Sequence, residues 1–328
     1  MSAERVQPSD RTGQAPAHRP FRIAHLSDTH VLSPTGVEWR RVLFNKRITG
    51  HANLMLRRGR VYRREYLDAV VEAAAAQADH VVVTGDITNL ALESEFDEAL
   101  ALFSDVARRV EATVVPGNHD IYLPSIHRER RFPHHFGSFL ESDLPQYAID
   151  LPAGRFPCVK LRGPTAIIAL SSAVPRPPFV SAGYVGAAQL EALAALLDHP
   201  DVRRRLPVVL VHHPPINSGL RIARLRDGLV DSAALRRTLG GLARGLVLYG
   251  HIHRRMRCQL RTAAGSLDLV AASGAALDHP HEAVRAGFNL YEIDDDGGIV
   301  SVRAHVVDAS GRSLQPVSIG GTRTQTLA

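Results

Sequence analysis

The stretch VVPGNHD, residues 114–120, decides how the rest of the sequence is interpreted. The run at 112–115 is apolar and β-branched, which predicts a buried strand. Pro116 and Gly117 then end the strand, and an amide, an imidazole and a carboxylate follow at once. Alone, this stretch is as typical of a polar turn as of a binding site. The other strand ends of the chain therefore decide between the two.

The composition is that of a globular chain with a basic balance. The 328 residues are 45% apolar, enough for a sizeable core in one large domain or two ordinary ones. A net charge of +6 favours acidic partners such as phosphorylated substrates, nucleic acid or anionic lipid. Cys158 and Cys258 form no disulfide framework, and residues 1–20 form a polar lead that we expect to be disordered, without an apolar signal segment. We therefore expect a cytoplasmic protein.

Short apolar strands alternate with amphipathic helices along the chain. Helices are predicted at 66–77, 93–110, 189–197 and 232–242, and strands at 21–27, 80–84, 165–171, 207–211, 245–249, 267–271, 288–293 and 299–306. This alternation predicts an α/β architecture whose sheet is covered on both faces. In such folds ligands gather beyond the carboxyl ends of the strands, so polar residues at those ends should converge.

Four further predicted strands end in polar signals like that of the GNHD stretch. They are Asp28-x-His30, Gly85-Asp86, His212-His213 and Gly250-His251-x-His253. Each alone is commonly a turn, but five in order, each following an apolar strand, predict one site. Imidazoles and carboxylates suit Zn, Fe and Mn, and Cys258 has no nearby thiol partner for a thiolate zinc site.

With these five signals the chain resembles the calcineurin-like metallophosphoesterases, in particular the bacterial phosphodiesterase-like branch. The resemblance runs from about residue 21 to about residue 306. It implies a four-layer α/β/β/α sandwich, expected here over residues 21–308, and two metal ions per chain, namely Mn, Fe or Zn. Carried over residue by residue, it implies that Asp86 bridges both ions. The other implied ligands are Asp28, His30 and His253 for one ion and Asn118, His212 and His251 for the other.

The resemblance also implies a catalytic pair and a reaction. His119 would protonate or hydrogen-bond the leaving oxygen, and Asp120 would fix the orientation of its imidazole. His213 is the neighbour that could replace His212 as a ligand. The implied activity is hydrolysis of a phosphoester, preferentially a phosphodiester, by attack of a metal-bridging hydroxide. The segment after Gly85-Asp86 lacks the arginine motif of the family's phosphoprotein phosphatases, which argues against that class.

A basic insertion at 38–64 is the second informative stretch. From residue 39 onward it contains nine cations, and Glu38 is its one acid; the cations are Arg40, Arg41, Lys46, Arg47, Arg57, Arg58, Arg60, Arg63 and Arg64. One interpretation is a helical lid with a solvated basic face. The other is a cap that contacts an anionic amphiphile or the inner face of the membrane. Nucleic acid ranks lower, because only Trp39 and Phe44 could stack on bases.

Two alternative functions follow from the same residues. The first is a pyrophosphatase acting at the membrane on a UDP-linked acylated glucosamine, a lipid A precursor. The second is a scaffold of the same fold without catalysis, which would be expected to have lost its ligands. Every ligand position here has a competent residue, which favours the enzyme. The tail at 309–328 is polar, and we expect it to be loose.

Overall fold

Two β-sheets form the centre of the molecule, and the computed structural model describes residues 19–32, 61–121, 123–216, 221–320 and 323–326. The six-stranded sheet contains, in spatial order, β14 (Leu314–Ser318), β13 (Ile299–Val307), β12 (Gly287–Ile293), β1 (Phe21–Leu26), β2 (His80–Val83) and β3 (Glu111–Val114). The seven-stranded sheet contains β15 (Arg323–Thr326), β10 (Met256–Arg261), β11 (Ser266–Ala271), β9 (Leu246–Tyr249), β8 (Leu206–Leu210), β7 (Thr165–Ala169) and β6 (Cys158–Arg162). A small hairpin pairs β4 (Ile149–Leu151) with β5 (Gly154–Phe156).

The strands that precede the five polar signals run parallel within their sheets. In the first sheet β1, β2 and β3 are parallel, with His25 opposite Val82 and Val82 opposite Thr113. In the second sheet β8 and β9 are parallel, with Val209 opposite Val247. Parallel strands end on the same side of a sheet. Each sheet therefore gathers its own polar signals at one edge.

Four helices cover the outer faces of the two sheets. They are α1 (Arg64–Gln77) and α2 (Glu93–Ala107) on the first sheet and α5 (Ala187–Leu197) and α8 (Ser232–Leu239) on the second. Their apolar side chains recur every three or four residues, so that one face of each helix is buried. Shorter helices are α3 (Pro124–Arg128), α4 (Arg131–Phe136), α6 (Pro200–Arg203) and α7 (Arg221–Asp227), with 3₁₀ turns at Gly137–Leu140 and Pro145–Tyr147.

The main core lies between the two sheets and continues under α1 and α2. Val83 of the first sheet and Ile167 and Val208 of the second belong to one buried cluster. A second cluster, which includes Leu193 and Leu235, packs the outer face of the second sheet against α5 and α8. Helix, sheet, sheet and helix therefore form four layers, as the resemblance implied.

The expectation of a loose tail at 309–328 is wrong. Strand β14 pairs antiparallel with β13, and β15 pairs parallel with β10, so the tail adds an edge strand to each sheet. Edge strands need apolar residues on one face at most, and β14 also contains Pro316. The sequence therefore contained no clear sign of a strand here. The predicted lead at 1–20 and insertion at 38–64 lie outside the described residues, except for 19–20 and 61–64. In the described part of the chain, every helix is too short or too polar to span a bilayer.

Candidate metal centre

The predicted ligands stand on sharp turns directly after the strands. Five of them have a left-handed backbone conformation, which side chains other than glycine adopt at a cost. Their φ angles are 51° for Asp28, 42° for His30, 51° for Asp86, 67° for His251 and 49° for His253. Backbone strain of this kind concentrates at functional sites. Here the left-handed backbone directs each of these side chains toward the site at the strand ends.

Two glycines allow the turns to pack against one another. A Cβ on Gly250 would overlap Ser27 Oγ and lie 2.5 Å from Asp28 Oδ2. A Cβ on Gly117 would overlap the backbone nitrogen of Asp86. The motifs after different strands are therefore in direct contact, and glycine is required where they touch.

Asp28, His30, Asp86 and His253 form the first cluster of donor atoms, and all four contribute atoms within 4.8 Å of one another. Nε2 of His253 lies 3.1 Å from Asp28 Oδ1 and 3.4 Å from Nε2 of His30. Asp86 Oδ2 lies 4.0 Å from the same His30 nitrogen. Oδ1 of Asp28 is buried and, apart from the close approach of His253, has no hydrogen-bond partner among the described residues, which is unusual for an ionised oxygen.

Asn118, His212, His251 and the second oxygen of Asp86 form the adjoining cluster. Oδ1 of Asn118 lies 3.1 Å from His212 Nε2 and 3.0 Å from His251 Nδ1. Asp86 Oδ1 lies 3.4 Å from His212 Nε2. Asp86 thus presents one oxygen to each cluster.

The donor atoms fit two metal ions. Metal–ligand bonds of about 2.0–2.2 Å place neighbouring ligands roughly 3.0–3.4 Å apart in octahedral or tetrahedral geometry, close to the spacing of most donor pairs here. The orphaned oxygen of Asp28 would gain its missing partner from such an ion. The mixture of imidazole, carboxylate and amide donors suits Zn, Fe or Mn.

Each imidazole of the two clusters contacts a further group through its second nitrogen. Nδ1 of His212 lies 2.7 Å from the Thr84 carbonyl, and Nε2 of His251 lies 2.8 Å from the Asp227 carbonyl. The Tyr62 hydroxyl lies 3.2 Å from Nδ1 of His253. A carbonyl can only accept, so it fixes the proton on the nitrogen that faces it and leaves the other nitrogen as a ligand.

His213 offers a ring nitrogen within 4.8 Å of nitrogens of His212 and His251, but both of its nitrogens have other partners. Its Nδ1 lies 2.8 Å from Ser172 Oγ, and its Nε2 lies 2.7 Å from the Ser181 carbonyl. Both ring nitrogens are thus occupied within the protein, although the ring packs beside His251. His212 therefore stays the predicted ligand of the pair.

His119 lies at the border of the clusters and outside both. Its backbone N–H donates to Asp86 Oδ1 at 2.8 Å, and its ring packs edge-on against His30 with centroids 4.9 Å apart. Its Nδ1 lies 2.6 Å from the Asn89 carbonyl. That carbonyl, and not the carboxylate of Asp120, is the group that orients the imidazole.

Asp120 instead connects two of the motifs. It is completely buried, and its oxygens accept hydrogen bonds from the backbone N–H groups of Ile87, Thr88 and Gly117 and from the Thr88 hydroxyl. Burial and the neighbouring Asp86 raise the pKa of Asp120 to about 7, against the effect of these hydrogen bonds. The predicted role of Asp120 behind His119 is thus replaced by one in holding the turn after β3 against the turn after β2.

Comparison with known proteins agrees with this geometry. The family model of calcineurin-like phosphoesterases matches residues 21–255. The chain belongs to the calcineurin-like phosphoesterase family. A curated relative, a "Probable cyclic nucleotide phosphodiesterase" of Rhodococcus erythropolis, is 28% identical over 75% of this chain and 68% of its own.

Solved structures with a similar fold include two phosphatases. A dimetal phosphatase from Danio rerio is 16% identical and covers 92% of this chain and 100% of its own, with a TM-score of 0.51. A purple acid phosphatase from yellow lupin seeds is 13% identical, with a TM-score of 0.54, and the match covers 90% of this chain and 52% of that one. At such identities the likeness concerns the fold. Family and relatives together establish this chain as a metal-dependent phosphoesterase.

The charges of this phosphoesterase favour cations at both clusters. Burial raises the pKa of Asp28 and of Asp86. The nearby His253 lowers the pKa of Asp28 and the nearby His212 lowers that of Asp86, so both carboxyls titrate below their usual range. Burial lowers the pKa of His212, yet Asp86 overrides it and raises the value to about 9. Within the described ranges neither carboxylate contacts an arginine or lysine, and two such ionised carboxylates strongly attract metal ions.

Three groups that position the imidazoles of the site had no signal in the sequence. The carbonyls of Thr84, Asn89 and Asp227 act through the backbone, so their residue types reveal nothing. Tyr62 is different, because an aromatic hydroxyl at the end of the basic insertion could have been named as a partner for His253. Its ring also packs edge-on against His30, with centroids 5.1 Å apart.

Proposed function

We propose that this phosphoesterase hydrolyses a phosphodiester. The observation that carries the proposal is Asp86, which presents one oxygen to each donor cluster while its neighbour His119 stands beside both. One phosphate bound over the two clusters could thus contact both metal positions and present its leaving oxygen to an imidazole. The name of the Rhodococcus relative and the missing arginine motif after Asp86 support a diester over a phosphoprotein.

Seven side chains would hold the metal ions in this proposal. Asp28, His30 and His253 would bind one ion, Asn118, His212 and His251 the other, and Asp86 both. When bound, two divalent ions would acidify a water molecule, orient the ester and offset the charge that develops on phosphate. Asp28 and Asp86 cancel only two of the four positive charges, so the pocket stays cationic and attracts an anionic ester.

His119 would handle the proton of the leaving group. The Asn89 carbonyl accepts a hydrogen bond from Nδ1, which fixes one proton there. Nε2 is then the nitrogen that exchanges the second proton with the leaving oxygen, as a general acid does. His119 binds no metal in this proposal, so binding and proton transfer can be separated by mutation.

A pyrophosphatase acting on a UDP-linked acylated glucosamine is the second candidate. The described end of the basic insertion is fixed beside the metal centre: Tyr62 contacts His253, and the Val61 carbonyl accepts a hydrogen bond from the Asp278 backbone. Arg63 also pairs with Asp278, its Nε lying 3.0 Å from Oδ2. An insertion anchored there can contact the distal part of a long, anionic substrate.

A hydrolysis screen with added Mn²⁺ tests the proposal. It should compare a nitrophenyl monoester, a bis-nitrophenyl diester, cyclic nucleotides and a UDP-linked acylated glucosamine, with Asp86→Asn as the control for contaminating phosphatases. We expect the diesters to have the highest kcat/KM. Preference for the monoester would contradict the proposal, and preference for the UDP-linked substrate would select the second candidate.

A further inference from the structure

A second group of metal-ligating side chains lies at the junction of α2 and α4. Glu93 and Asp97 are one helical turn apart on α2, so their carboxylates share a face. His135 of α4 points its Nε2 at both, 3.3 Å from Glu93 Oε1 and 3.4 Å from Asp97 Oδ1. The three donor atoms lie within 4.8 Å of one another. None of these residues belongs to the metal centre of the phosphoesterase.

The imidazole of His135 is buried and hydrogen-bonded in a way that is typical of metal-ligating histidines. The residue is only 7% exposed. Its Nδ1 lies 3.0 Å from the Arg131 carbonyl, which fixes the proton on that nitrogen and leaves a lone pair on Nε2. Nε2 is near two carboxylate oxygens of the described chain but is aligned as a hydrogen-bond donor to neither. A lone pair that faces two carboxylate oxygens makes with them a set of three donors that one cation could bind.

The carboxylate of Glu93 is oriented in the same way. Arg131 Nε lies 3.0 Å from Oε2, so that arginine occupies the oxygen opposite to the one facing His135. Ligating carboxylates are commonly held by such a hydrogen bond. We propose that Glu93, Asp97 and His135 bind a divalent cation of the zinc type. Its charge would balance the two carboxylates, and water would complete the coordination.

The alternative is a doubly protonated His135 that pairs with both acids. It would place an N–H on Nε2, and such a donor is expected to align with one oxygen, which the structure does not show. Among the described residues, the groups around the ring are the carboxylates of Glu93 and Asp97, the Arg131 carbonyl, and the rings of Phe96 and His134, with centroids 5.0 and 5.2 Å away. The experiment below distinguishes the two.

A cation here would tie the two helices to the loop before α2. Arg131 Nη1 donates to the Ala91 carbonyl at 3.2 Å, and Glu95 accepts the backbone N–H groups of Asn89, Leu90 and Leu92. The same loop carries the Asn89 carbonyl that orients His119. The site would therefore stabilise the frame around His119 without contacting the substrate.

Metal counting on the full chain tests the proposal. Wild type, Glu93→Gln/Asp97→Asn and the control Asp105→Asn would be stripped with a chelator, loaded with Zn²⁺, desalted and assayed for bound metal. Asp105 is an exposed acid on the same helix, paired with Arg108 and Arg109. We expect the double variant to lose one equivalent and the control none. Equal stoichiometry in all three would overturn the proposal.

A second readout separates this site from the metal centre. In the Asp86→Ala background, which is expected to lose the catalytic ions, Zn²⁺ should still raise Tm and one equivalent should still bind. Adding Glu93→Gln/Asp97→Asn should abolish both effects. A Zn²⁺-induced rise in Tm that the added substitutions leave unchanged would assign the effect to other groups. Because both substitutions are at exposed side chains, circular dichroism should show an unchanged fold.

Discussion

His119 is oriented by the Asn89 carbonyl and stands outside both donor clusters. His119→Ala should therefore leave metal binding unchanged and lower turnover by roughly 10²–10⁴, the usual effect of losing a positioned acid. The loss should shrink for nitrophenyl esters, whose leaving groups need less protonation. Metal analysis and a series of substrates with graded leaving-group pKa would measure both effects. An equal loss across the series would make His119 a phosphate-positioning residue instead.

Asp120 is predicted to matter for stability through its backbone contacts. Asp120→Ala removes the acceptor of three buried N–H groups, each of which costs about 1–3 kcal/mol when unsatisfied. We expect the free energy of unfolding to fall by at least about 3 kcal/mol in urea denaturation. Asp105→Asn, at an exposed position, is the control. Wild-type stability combined with lost activity would restore Asp120 to a direct catalytic role.

At the scale of residues, the sequence was informative wherever a side chain acts through its own chemistry. Asp28, Asp86 and His251 follow apolar strands, and that position alone predicted where they meet. The partner of His119 could not be predicted, because a backbone carbonyl carries no residue signature and Asp120, the next residue, was the natural candidate. Which of His212 and His213 faces the centre depended on contacts with Ser172 and Ser181, which are distant in sequence.

At the scale of elements, the strands that are continuous apolar runs were predictable, and the strands of mixed or polar composition were not. Strands such as β2 and β8 are continuous apolar runs, so their position was clear. Strand β6 mixes apolar and basic residues, and β14 and β15 are largely polar, because edge strands expose part of their surface. Strand β10, next to the edge, also mixes apolar and basic residues. The pairing of distant strands also depends on tertiary contacts that a local pattern does not contain.

The pairing of β2 with β3 buries a histidine, and this makes stability depend on pH. Burial, with a further contribution from Lys160, lowers the pKa of His80 to about 3, although Glu111 opposes the shift; Nε2 of His80 contacts Thr113 Oγ1 at 2.9 Å. The unfolded chain, with an ordinary histidine pKa near 6.5, takes up the proton first as the pH falls. The contribution of neutral His80 to the free energy of unfolding is therefore fully present above about pH 6.5. It decreases as the pH falls toward 3, by about 2 kcal/mol at pH 5.

His80→Gln should weaken this acid sensitivity. Glutamine can still hydrogen-bond Thr113 but does not titrate, so the difference in unfolding free energy between pH 7 and pH 5 should shrink by about 2 kcal/mol. Burial also lowers the pKa of His25 to about 3. The variant should therefore keep the part of the pH dependence that comes from His25. Urea denaturation of both proteins at the two pH values measures the change. An identical pH dependence would show that His80 titrates normally in the fold.

At the scale of the whole molecule, the described end of the basic insertion, residues 61–64, lies beside the metal centre, where Tyr62 contacts His253 and the Val61 carbonyl accepts a hydrogen bond from Asp278. If its cations contact a membrane, each is worth on the order of 1 kcal/mol near an anionic surface, and salt should screen it. Arg57→Glu, Arg58→Glu and Arg60→Glu together should abolish co-sedimentation with anionic vesicles and spare hydrolysis of a bis-nitrophenyl diester. Neutral vesicles and rising salt are the controls. An equal loss of soluble activity would place the insertion in the wall of the active site.

The central claim is that strand ends from both sheets build one centre for two metal ions. Anomalous scattering from a crystal grown with Mn²⁺ tests it most directly. We predict two peaks at this centre, one beside Asp28, His30 and His253 and one beside Asn118, His212 and His251, with Asp86 between them and His119 bound to neither. A single peak, or a peak bound by His213 instead of His212, would contradict the account.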